Sequence, residues 1–259
     1  MKKNCFLVVL TTIFFLSSFS FADTLGPTSE LYVTVWANAG IAVLQGNSIV
    51  RSWATSGTNE IAIAVADKVR TMGHTSGSIG AEYTLSGSFT GNRYTSGQTY
   101  FHDGASDGQY NYAVIWNTGN IYRYGLDWQN PQYLFNAGAD GLGITYDPTN
   151  NSLWLSSWGN GTVKNFSLAG NLLSSFTTRD SHNTALAMDY ADGTLWMREN
   201  STGYMAQYTR TGTFLGAKSY SVGGAIWGAE FSVTVVPEPG SLFLFAFALI
   251  TVRILHRRR

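Results

Sequence analysis

The sequence predicts an all-β fold, a single β-propeller of about five four-stranded blades, with six as the alternative count. Three observations carry this. Glycine and aromatic markers recur about every 42 residues through the middle of the chain. Short apolar runs alternate with polar positions, the two-residue period of half-buried strands. Charged residues make up only 12% of the 259 positions. Gly, Ser, Thr, Asn and aromatics stand in their place, which suits tight turns and short strands more than exposed helices.

Residues 1–22 come first. Lys2 and Lys3 precede an apolar run from Cys5 to Leu16, and Ser20-Phe21-Ala22 offers the small residues a signal peptidase accepts. This reads as a secretory signal helix cut after Ala22, because the run is short for a stable membrane span. Cys5 is the chain's single cysteine. The mature body therefore has no disulfide, free thiol or cysteine metal site, and an exported domain must hold together by its sheets and core. From Asp23 to Val236 there are 15 acidic residues against 10 Lys plus Arg, a net of −5. An acidic body between basic ends argues against nucleic acid and anionic lipid as partners.

The body, residues 23–235, is the propeller domain. LWLSSWGNGTVKNFSLAGN from Leu153 aligns with LWMRENSTGYMAQYTRTGT from Leu195. Trp154 pairs with Trp196, Gly161 with Gly203, Phe166 with Tyr208 and Gly170 with Gly212, each 42 residues apart. Upstream the marker position is Leu44, Tyr83 and Tyr124, giving spacings of 39, 41, 42 and 42. In the fourth unit the strands are Gly143–Tyr146, Leu153–Ser156, Thr162–Ser167 and Leu172–Phe176. The first unit begins at its second strand, LYVTVW. The last apolar segment, Gly224–Val233, is expected to supply the missing inner strand and so close the ring. Six blades would require a degenerate unit within Gly87–Tyr110, and an open sandwich is the third architecture. These units resemble the blades of NHL, lyase-like and quinoprotein-like propellers. That resemblance implies the fold and places no family's catalytic residues.

The C-terminal segment 236–259 joins Pro237, Glu238, Pro239 and Gly240 to an apolar run and a basic end, Arg257, Arg258 and Arg259. The prolines stop the preceding strand. The run from Ser241 to Leu255 is a short transmembrane helix, and the arginines hold its far end in the cytoplasm. The order of these features resembles the PEP-CTERM sorting signal, also catalogued under an ice-binding protein C-terminal name that describes only the tail. The resemblance implies passage through the secretion machinery and across the inner membrane, processing by exosortase, a place in the envelope or extracellular matrix, and a link to exopolysaccharide.

Chemistry is sparse. His102, Asp103 and Asp107 in HDGASDGQ form either a cation or acid/base group or a plain turn. His74, His102 and His182 show no ligand spacing, so no metal site is expected. No nucleophile elbow or phosphate loop is present, and neither catalytic residues nor a cofactor are assigned. Asp147 and Asp189, 42 apart, either face a channel cation or cap the turns that follow them. Trp154 and Trp196 read as core between blades. Trp116, Trp128 and Trp158 lie in or near loops and are the candidate glycan-binding residues. The expected function is a non-catalytic, exported propeller that contacts exopolysaccharide. The alternative is a secreted lyase or hydrolase acting on polysaccharide or a lactone.

Overall fold

The computed structural model describes residues 26–36, 40–138 and 140–233. The expected signal helix, the sorting motif and the expected transmembrane helix lie outside the described residues. Within them every regular element is a strand, and the strands form five four-stranded antiparallel sheets. Blade I contains β1 (Leu31–Trp36), β2 (Gly40–Gln45) and β3 (Ser48–Ala54). Blade II is β4 (Glu60–Val65), β5 (Val69–Gly73), β6 (Gly80–Tyr83) and β7 (Phe89–Tyr94). Blade III is β8 (Phe101–Ser106), β9 (Asn111–Ile115), β10 (Asn120–Tyr124) and β11 (Gln132–Asn136). Blade IV is β12 (Gly141–Asp147), β13 (Ser152–Ser157), β14 (Thr162–Ser167) and β15 (Leu172–Thr177). Blade V is β16 (Asn183–Met188), β17 (Leu195–Glu199), β18 (Met205–Tyr208) and β19 (Phe214–Lys218).

The last strand, β20 (Ala225–Phe231), does not continue blade V. It pairs antiparallel with β1 as the inner strand of blade I, from Leu31 opposite Phe231 to Trp36 opposite Ala225. The expected closure is therefore present, and the blade count is five. The Gly87–Tyr110 region holds no degenerate unit, because it supplies β7 of one blade and β8 of the next.

Packing follows the repeat. Leu44, Tyr83, Tyr124, Phe166 and Tyr208 all lie on the third strand of their blades and all are buried. Trp154 and Trp196 sit in the apolar layers between neighbouring blades. Trp154 lies with Leu186 and Met188 of blade V, and Trp196 with Leu31, Val33 and Phe231 of blade I. Each fully buried large side chain contributes roughly 1.5–3 kcal/mol, so the stability of the ring rests on these five interfaces.

The inner strands share one irregularity. Each pairs with its neighbour regularly at the lower end and slips register near the upper end, at Thr34/Val35, Glu60/Ala62, Phe101/Gly104, Gly141/Ile144 and Asn183/Leu186. Such a bulge twists the strand and re-aims the side chains at its site. The five bulges lie at one level around the central axis.

Candidate functional site

Each bulge places two successive inner-strand residues at the same two levels along the central axis. Reading the register around the ring, the upper residues are Trp227, Ile61, His102, Leu142 and Thr184. The lower ones are Gly228, Ala62, Asp103, Gly143 and Ala185. The lower layer therefore has one carboxyl facing four small residues, and the geometry requires this. A Cβ on Gly228 would approach Ile61 O to 2.2 Å, and one on Gly143 would approach Leu186 Cβ to 2.6 Å.

Asp103 fills that layer. Its Oδ1 accepts the amides of Gly104 (2.9 Å) and Ala229 (3.0 Å), and its Oδ2 accepts those of Leu186 (2.9 Å) and Ile144 (3.2 Å). One fully buried side chain thus joins blades III, IV, V and I. Burial pushes its carboxyl up, and the four amide donors oppose that rise. Two residues further down the strands, Glu230 takes the next layer. It accepts Thr145 Oγ1 at 3.1 Å on both oxygens and the Phe231 amide at 3.0 Å. Burial, and then the charge of Asp103, hold Glu230 well above the usual carboxylate range.

Above the bulges the composition changes to aromatic. Trp36 ends the second strand of its blade, and His74, Trp116, Trp158 and Asn200 directly follow theirs, spaced 38, 42, 42 and 42. Their backbones repeat as well: the amides of His74, Trp116, Trp158 and Asn200 bond the carbonyls of Asn59, Tyr100, Asp140 and His182. Trp116 and Trp158, which the sequence placed in unexplained loops, are thus equivalent members of a rim. Trp227 stands near its centre, 5.2 Å from the His102 ring, 6.0 Å from Trp158 and 6.4 Å from Trp36. His102 also lies 4.4 Å from His74 and 5.2 Å from Trp116, and His182 lies 4.9 Å from Trp158. The fold therefore brings all three histidines of the body into one aromatic cluster, a convergence their spacing did not reveal.

His102 is the floor of this mouth. It is 6% exposed, and neither ring nitrogen has a hydrogen-bond partner among the described residues. Burial, and then His74, push its imidazole down to about 3, so it is neutral at ordinary pH. His74 donates from Nδ1 to Phe101 O at 2.8 Å. Among the described residues no three His, Cys, Asp or Glu side chains come together as a metal site.

The other sequence candidates are placed as follows. Trp128 is fully buried, against Phe101 and Tyr124, and Gly104 leaves room for its indole. It cannot stack on a surface ligand, and this corrects its place among the glycan-binding residues. His102 and Asp103 belong to β8 and not to a turn. Asp107 makes the turn, accepting the amides of Gln109 and Tyr110. Asp147 accepts the Thr149 amide and Asp189 that of Ala191, so each caps its turn. Each also ties to the next blade, Asp147 to Arg210 and Asp189 to Thr28. A separate recess of about 560 Å³ lies between blades II and III, lined by Arg70, Glu82, Arg93, Asp127 and Gln129 among others. Its Arg70 is already paired with Glu82 and Asp67, each at 2.9 Å.

The family model described as the PEP-CTERM protein-sorting motif matches residues 235–259. No curated protein sequence matches the chain. A chain of the nidogen/laminin complex crystal structure is similar with a TM-score of 0.56 and 12% identity, covering 78% of this chain and 97% of that one. Virginiamycin B lyase from Staphylococcus aureus, as a catalytically inactive variant with quinupristin, gives a TM-score of 0.48 and 13% identity over 76% and 69% of the two chains. The nidogen/laminin likeness agrees with the propeller architecture and goes no further than the fold. The sorting motif indicates export and sorting to the cell envelope, and it implies exosortase-type processing.

Proposed function

We propose that this five-bladed propeller is a non-catalytic display protein. Its signal, residues 1–22, sends it out, its tail enters the membrane before processing, and its aromatic mouth binds a saccharide of the exopolysaccharide matrix. The reading rests on the mouth: Trp36, Trp116 and Trp158 recur at one level around an axis whose floor, His102, holds two unpartnered nitrogens. Flat indole faces stack on sugar rings, and a neutral imidazole offers one donor and one acceptor, which matches a hydroxyl.

A lyase or hydrolase at the same place would need a carboxyl or other strong base beside His102. The adjacent Asp103 is committed to four amides below and is not free to serve as that base. This favours binding over catalysis. A glycan array with residues 23–236, followed by Trp116→Ala and Trp158→Ala, tests the proposal. The expected result is retention of a neutral or acidic polysaccharide fragment that both substitutions weaken. Absence of any glycan signal, or binding indifferent to both substitutions, would sink it.

A further inference from the structure

The two faces of the ring are unlike, and both ends of the described chain leave from the same one. At the start, Pro27 O accepts the Gly46 amide in the β2–β3 turn, and Thr28 bonds Asp189 in the β16–β17 turn. At the end, Ser232 Oγ donates to Ala66 O and Val233 N to Val65 O, at the foot of β4. These are all hairpin turns or strand feet on the face opposite the aromatic mouth. Only seven residues, 234–240, separate Val233 from the apolar run that begins at Ser241. Fully extended they span about 25 Å, so the tether is short.

The outer strands carry a matching feature. Ile49 and Val50, Leu172 and Leu173, and Phe214 and Leu215 are exposed at the hairpin-turn ends of β3, β15 and β19. Exposed apolar pairs repeated around one rim, beside a short tether, fit a surface that rests against lipid. The body's net −5 points to a zwitterionic rather than an anionic lipid surface.

We infer that the hairpin-turn face of the propeller lies against the membrane while the tail is held there, so that the aromatic mouth points away from it. This rests on the reading of the tail as a membrane segment. The test uses the absence of cysteine from the body. In a chain of residues 23–259, which lacks the apolar run of the signal and Cys5 with it, single cysteines replace exposed residues on the turn face (Gln109→Cys, Asn171→Cys) or the mouth face (Ser76→Cys, Asn117→Cys). Each chain is reconstituted into phosphatidylcholine vesicles, floated, and reacted with a bulky polyethylene-glycol maleimide. The turn-face positions should react several-fold more slowly than the mouth-face positions, and the difference should vanish when detergent dissolves the vesicles. Co-flotation with equal rates on both faces would overturn the orientation while leaving the tail reading intact. Failure to float would overturn the tail reading and the orientation with it.

Discussion

The mouth of the channel and the layer beneath it draw on adjacent residues, His102 and Asp103, yet treat their polar atoms in opposite ways. Asp103 receives four amides from four blades, and every position facing it is small. His102 receives no hydrogen bond among the described residues and is covered by rings. A buried polar group left unpartnered costs roughly 1–3 kcal/mol, whereas a saturated carboxylate joins the elements that donate to it. The lower layer therefore holds the ring together, and the upper one carries a cost that a ligand can relieve.

The sharpest way to break this comparison is Asp103→Asn. An amide there turns two donors toward backbone N–H groups. The loss should be about 3–5 kcal/mol in urea unfolding. A loss well under about 1 kcal/mol would show that the amides find other partners and that Asp103 does not join the blades.

At the mouth the expected effect is smaller and depends on pH. His102 titrates near 3 in the folded chain and near 6.5 when unfolded. Its neutral form is stable above the unfolded value, and that stability drains away as pH falls toward the folded one. Between pH 6.5 and 5 this amounts to about 2 kcal/mol. His102→Phe should remove that acid sensitivity and raise stability at pH 5, while weakening any saccharide. An unchanged pH profile would mean that the imidazole finds a partner in solution.

The channel should show the reverse slope. Glu230 is held well above the usual carboxylate range, so the folded chain keeps a proton that the unfolded chain releases. Stability from this group is complete below the ordinary Glu value and declines as pH rises toward the raised one. Glu230→Gln should flatten the fall in Tm as pH rises above the ordinary Glu range. A variant that declines as steeply as the parent would remove Glu230 from the account.

The smallest expected change is in binding. Trp158→Ala should weaken a bound glycan by about 0.5–1.5 kcal/mol in calorimetry without lowering Tm. A drop in Tm with unchanged affinity would make the rim a packing feature.

Much of the fold was legible because a repeat imposes its period on strands, turns and core alike. The third-strand marker from Leu44 to Tyr208 located every blade, and the lone apolar segment after Gly224 had only one sheet left to complete. The site was harder to read. Trp116 and Trp158 stand one repeat apart and carried the signal, but each looked like an isolated loop residue. Trp128 looked the same and is core, because its pocket depends on the missing Cβ of Gly104, which lies on another strand. The bulges that aim His102 and Asp103 in different directions exist only relative to a partner strand, so a single line of residues does not display them. The joining of four blades by Asp103 likewise depends on amides 41, 83 and 126 positions away.

Closure by β20 has a consequence for how the molecule is made. The first sheet cannot be finished until β20 has been made, because its innermost strand follows all the other described strands in the chain. Until then the early sheets wait with an open seam, and a chain cut short before Ala225 would keep it. Completion of the five-sheet ring therefore waits for Ala225–Phe231, the strand that comes shortly before the sorting segment.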